Sequence, residues 1–152
     1  MIRFFKFEEL DNEQAACVPM GVKRMLDETG LKISRAQWGA LSQADRATIY
    51  ALPAASEKEM GATRALIRDA IIRASGTEPA ELSPEQQRLA APPGQPSREL
   101  IERAAALGFQ LDRAQWKRLD PDQRYALTKL GVGSKSGRKL GNALGEFGIT
   151  RN

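Results

Sequence analysis

The chain has 152 residues, enough for one domain that hides roughly 70% of its unfolded surface, and its 41% hydrophobic and 28% charged content is that of a globular protein. It has no histidine and one cysteine, which excludes histidine acid–base catalysis, Ser-His and Cys-His nucleophile pairs, histidine metal sites and an intramolecular disulfide. The net charge of +4 is uneven: residues 96–152 carry eleven basic and six acidic side chains, whereas 1–53 balance at seven each, so an acidic partner would be met by the last third.

The opening MIRFFKFEEL turns acidic after Phe7 and lacks the apolar core of a signal peptide. No apolar run approaches the roughly 20 residues of a membrane span. With a single thiol, the expected location is the reducing cytoplasm. Ile2 to Phe7 reads as a short extended arm whose Phe5 and Phe7, or Phe4, plug a helical core. Cys17 stands just ahead of the first helix, where a helix N-terminus would lower its pKa and make it a reactive thiol. The plainer reading is a small buried hydrophobe, and it is preferred.

A helix from about Pro19 to Thr29 ends at Gly30, a left-handed stop. The next stretch, GLKISRAQWGALSQADRATIYAL from Gly30 to Leu52, returns without a gap as GFQLDRAQWKRLDPDQRYALTKL from Gly108 to Leu130. Ser34 and Asp112 are N-cap types, with Gln37 and Gln115 three residues on, the spacing of a capping box. Ile33 or Leu111 before the cap and Trp38 or Trp116 at the fourth helical position have the spacing of a hydrophobic staple, which makes both indoles core residues rather than surface platforms for stacking. Ser42 and Asp120 cap the following helix. Arg46 and Arg124 recur near its start, where the helix dipole disfavours a cation, so a carboxylate of the neighbouring module is the expected partner.

Ser56-Glu57-Lys58-Glu59 is a further capping box, opening a helix to about Ala74 closed by Gly76. Residues 77–96, rich in Pro, Glu, Gln and Ala, form a connector with one helical turn over Pro84 to Leu89. A helix from Ser97 to Leu107 then leads into the second copy. After Leu130, GVGSKSG lacks the spacing of a phosphate loop. Lys129, Lys135, Arg138 and Lys139 surround it, and together they form the candidate partner-binding element. A last helix runs from Ser136 to Phe147.

Phe4-Phe5-x-Phe7-Glu8, Cys17-Val18-Pro19-Met20, Leu26-Asp27-x-x-Gly30, Lys32-Ile33-Ser34-x-x-Gln37-Trp38, Arg124-Tyr125-Ala126-Leu127-x-Lys129-Leu130 and Ala143-Leu144-x-Glu146-Phe147-Gly148 occur in this order. The set resembles the nitrate reductase-associated protein family over nearly the whole chain. The resemblance implies a small bacterial accessory protein that supports nitrate reductase rather than reducing nitrate, and it brings no catalytic residues to transfer; no metal or cofactor is expected. The chain departs from the family pattern in the connector and in the basic loop after Gly131.

The expected architecture is all-α: one compact helical domain over 1–152, built from two similar three-helix modules (19–53 and 97–131) sharing a core, with the extended N-terminal arm. The expected function is non-catalytic binding to nitrate reductase or a related larger protein. The alternative is nucleic-acid binding through the basic C-terminal third; an enzyme using carboxylates or lysine has the least support.

Overall fold

The computed structural model describes residues 2–9, 18–52, 59–132 and 137–152. Cys17, Lys135 and the predicted Ser56–Lys58 cap lie outside the described residues. The protein is mostly helical, with little strand. Packing divides it into two compact units, Met1–Phe4 with Asp11–Ala90 and Phe5–Leu10 with Ala91–Asn152.

The N-terminal segment differs from the extended arm read in the sequence. Residues 2–5 have no regular structure, and Lys6–Glu9 form a helical turn, α1. Glu8 explains the turn: its Oε2 accepts the Phe5 N–H at 3.0 Å, the return half of a capping box, which outweighs the extended preference of the phenylalanines. Phe5 and Phe7 are buried as expected, whereas Phe4 stays partly exposed, edge-on to Tyr50 at 5.0 Å.

In the first unit, α2 (Met20–Thr29) ends at Gly30, whose φ of +77° suits glycine alone, and β1 (Leu31–Lys32) follows. Next come α3 (Arg35–Ala40), α4 (Gln43–Tyr50) and α5 (Met60–Ser75). α5 packs on α2 and α3, placing Ile67 and Ile71, one turn apart, against Val22, Leu26, Trp38 and Ile49. The supposed connector is more structured than its composition suggests. It contains β2 (Ala80–Glu81), antiparallel to β1 with Leu31 opposite Glu81, then α6 (Pro84–Gln87) and a 3-10 turn, Arg88–Ala90. Two-residue strands carry no alternation to read, and their partners lie some fifty residues apart.

In the second unit, α7 (Arg98–Ala106), α8 (Arg113–Arg118), α9 (Pro121–Leu130) and α10 (Gly137–Glu146) surround Leu100, Trp116, Tyr125, Leu127 and Leu144. Phe5 stacks on Phe7 at 5.5 Å, and both rings meet Phe147, at 5.1 and 6.1 Å. Phe5 and Phe7, both buried, each contribute about 1.5–3 kcal/mol. The Phe7 N–H donates to Glu146 Oε1 at 2.8 Å, fastening α1 to the end of α10. Phe109 bridges Arg151 antiparallel, and the Gly108 carbonyl accepts the Asn152 N–H at 2.8 Å. In the first unit the Gly30 carbonyl accepts from Leu82 N–H at 2.9 Å. Among the described residues no helix is long and apolar enough to cross a membrane.

Gly131 closes α9 with an ordinary φ of −82°, so its role is close approach: a Cβ there would lie 2.6 Å from Leu100 Cδ1 and 3.0 Å from the Leu127 carbonyl oxygen. Gly145, in α10, has nothing within 4 Å of such a Cβ. Gly131→Ala is therefore expected to destabilise the protein by about 1–3 kcal/mol. Gly145→Ala should stabilise it by up to about 1 kcal/mol, both read by urea denaturation.

Candidate interaction site

The six repeat anchors form two local frames. In the first, Ser34 Oγ accepts the Gln37 N–H at 3.0 Å, and Gln37 Oε1 accepts the Ser34 N–H at 2.9 Å, completing the predicted capping box. Gln37 Nε2 also donates to Thr77 Oγ1 at 3.1 Å and the Glu78 carbonyl at 3.0 Å, tying α3 to the chain just beyond α5. In the second frame only the forward half of the box forms, with Asp112 Oδ1 accepting the Gln115 N–H at 2.8 Å. The Gln115 amide is buried and serves other partners: Nε2 donates to the Gln110 carbonyl, and Oε1 accepts the Thr150 N–H at 2.8 Å. A second box does form one helix later, between Asp120 and Gln123.

Both indoles are fully buried. Trp116 Nε1 donates to the Pro93 carbonyl at 2.9 Å, whereas Trp38 Nε1 finds no acceptor among the described residues. The arginines act on the preceding helix, a partnership the sequence does not suggest. Arg46 Nη2 donates to the Trp38 carbonyl at 3.0 Å, with its guanidinium 5.0 Å above the Trp38 ring. Arg124 donates through Nε to the Trp116 carbonyl and through Nη2 to the Lys117 carbonyl, each at 2.9 Å. A cation near the start of its own helix here closes the C-terminus of the one before, where the dipole favours it.

Of the predicted partner-binding residues, Lys129 is half-buried with its ammonium 5.6 Å from the Tyr125 ring centroid, Arg138 is exposed and Lys139 half-buried. α9 packs on α10, so Lys129 near the end of one and Arg138 and Lys139 at the start of the other lie on neighbouring helices. Sequence reasoning misses α8, where Arg113, Lys117 and Arg118 are exposed. The signal is present in the repeat, which sets Lys117 and Arg118 against Gly39 and Ala40. On α3, Ala36 and Ala40 line, with Lys32, Ile33, Ala74 and Glu78 among others, an open groove of about 700 Å³.

Charge separates the units. The first has eleven basic and eleven acidic residues, the second twelve and eight. In the first, Arg24, Arg64, Arg68 and Arg73 pair with Glu28, Glu81, Glu78 and Asp45. In the second, the pairs Arg98–Glu102 and Arg103–Glu99 lie along α7. Among the described residues no group of three or more Cys, Asp or Glu is placed to hold a metal ion.

A family model described as conserved nitrate reductase-associated protein matches residues 4–147, and the chain belongs to that family. No curated protein and no solved structure matches it.

Two outcomes test this site. Trp116→Phe removes a hydrogen bond, while Trp38→Phe removes a buried donor with no acceptor among the described residues. Denaturation should therefore find Trp116→Phe costlier, by about 1 kcal/mol or more. The Gln115 N–H holds the Asp112 carboxyl below its ordinary value of 3.8. Its contribution to stability is present above the unfolded pKa of about 3.9 and is lost as pH falls through the lowered folded value. An Asp112 titration by NMR should place its midpoint below 3.8.

Proposed function

We propose that this chain is a non-catalytic, cytoplasmic accessory protein that binds nitrate reductase, or a larger protein of nitrate assimilation, and supports its activity or maturation. Family membership across residues 4–147 carries the reading. The use of the repeated polar residues supports it. Gln37, Gln115, Arg46 and Arg124 are engaged with backbone, and the indoles are buried, so the most distinctive side chains serve the scaffold.

The scaffold reads as a duplicated helical module, and the structural parallels support extending it past the repeat visible in the sequence. In each unit a helix ends at a left-handed glycine, Gly30 or Gly108, whose carbonyl accepts a later backbone N–H. Each has a glutamine-tied, arginine-closed short helix. In each, a further helix ends at another left-handed glycine, Gly76 or Gly148, and leads into the paired segment. Duplication followed by divergence of exposed faces suits a protein whose work is done at its surface. The nucleic-acid alternative draws on the basic charge of the second unit, but Trp116 and Tyr125 there are buried and offer bases no stacking surface.

The test mixes the purified chain with nitrate reductase from its own host and monitors gel filtration and nitrate turnover. Co-migration or a change in reductase activity is expected. Separate elution with unaltered turnover would contradict the reading.

A further inference from the structure

On α8, Arg113 and Lys117 stand four residues apart and therefore lie one above the other on the helix surface, with Arg118 beside them; all three are exposed. Among the described residues, none of the three makes an ion pair. Arg113 donates through Nε to the Gln95 amide oxygen at 2.8 Å, and Arg118 reaches a carboxylate only at longer range, helping to lower Asp112. Arg124 adds a fourth cation where it closes the C-terminal end of α8. The adjacent carboxylates are committed elsewhere: Asp112 and Asp120 cap α8 and α9, accepting from Gln115 N–H and Gln123 N–H at 2.8 Å each.

Lys117 and Arg118 gain from the dipole in the last turn of this six-residue helix, but Arg113 and Lys117, like charges one turn apart, repel by a similar amount. The matching helix α3, also capped by a side-chain oxygen and closed by an arginine, has Gly39 and Ala40 where α8 has Lys117 and Arg118. The fold therefore does not require cations at those positions.

We propose that the exposed face of α8, formed by Arg113, Lys117 and Arg118 with Arg124 at its end, is the docking surface for a cluster of carboxylates on the partner protein. The assignment rests on the accessory-protein reading and names the surface through which it acts. Clustered, unneutralised cations steer an acidic surface into register and raise the association rate, an effect that salt screens. The face offers single-stranded nucleic acid no ring to stack on, because Trp116 beneath it is wholly buried.

The test compares the wild-type chain, Arg113→Glu/Lys117→Glu, and Lys32→Glu as a control in the first unit, each binding immobilised nitrate reductase at low and high salt. Lys117→Glu alone is a second variant, since it removes no contact of the fold and keeps the Arg113–Gln95 bond. The wild-type chain should bind more weakly as salt rises. The double variant should lose at least about tenfold in affinity and much of that salt dependence, with its circular dichroism and melting temperature retained, while Lys32→Glu binds as wild type. Wild-type binding by both glutamate variants of α8 would overturn this surface and leave the accessory reading standing. Failure of the wild-type chain to bind the reductase at any salt would overturn both. If a single-stranded oligonucleotide, and not the reductase, is bound in an α8-dependent way, the partner is nucleic acid and the proposal falls.

Discussion

An indole sealed at the fourth position of a six-residue helix is the constraint around which each unit is arranged. A helix this short has almost no intrinsic stability, since nucleation consumes most of what its few hydrogen bonds return. It persists because its ends and its inward face are fixed from outside. A side-chain oxygen caps the N-terminus, an arginine from the next helix caps the C-terminal carbonyls, and Trp38 or Trp116 occupies the core. The glutamine at the third helical position then reaches a distant stretch of chain, so the corner also organises the segments just beyond α5 and α10. Removing the indole would leave a cavity as well as a loose helix, because neither six-residue segment holds its shape without the core contact.

The parts of this design that depend on neighbours in sequence are legible there. Ser34, Asp112, Ser42 and Asp120 cap helices where their residue types and spacing indicate, Gly30, Gly76, Gly108 and Gly148 adopt positive φ, and both tryptophans are buried. The features that escape the sequence depend on partners far along the chain. The pairing of β1 with β2 joins residues separated by an entire helical segment, and neither strand is long enough to alternate. Gln115 leaves half of its box unmade because the Thr150 N–H lies within reach, which spacing alone cannot reveal. Judged against its own helix, Arg46 is a disfavoured cation, yet its partner is the carbonyl at the end of the helix before it. The phenylalanines of the N-terminal segment suggest an extended arm, while Glu8 decides the local conformation.

The candidate site is legible in the sequence only as an excess of charge in the last third. That excess directs attention to the glycine-rich loop, because Lys129, Lys135, Arg138 and Lys139 crowd it. The structure adds α8 as a second basic face. The repeat aligns Gly39 and Ala40 with Lys117 and Arg118, which reads as ordinary drift until both pairs are placed on short helices of one design. The divergence is informative because both helices have a capped N-terminus, a buried indole and an arginine at the C-terminus, while their outer faces differ at these two positions. The chain belongs to the nitrate reductase-associated family, and its buried anchors hold these outer faces in place.

Both indoles are consumed by the fold, and each unit is built around one of them. Tryptophan fluorescence of the native protein, with acrylamide quenching tracked through a denaturant titration, measures this with no mutation, because Trp38 and Trp116 are the only two emitters of their kind. The expected result is blue-shifted native emission that acrylamide barely reaches, with the red shift and free quenching appearing together in the unfolding transition. Native emission already red-shifted and readily quenched would place an indole in water and contradict the account.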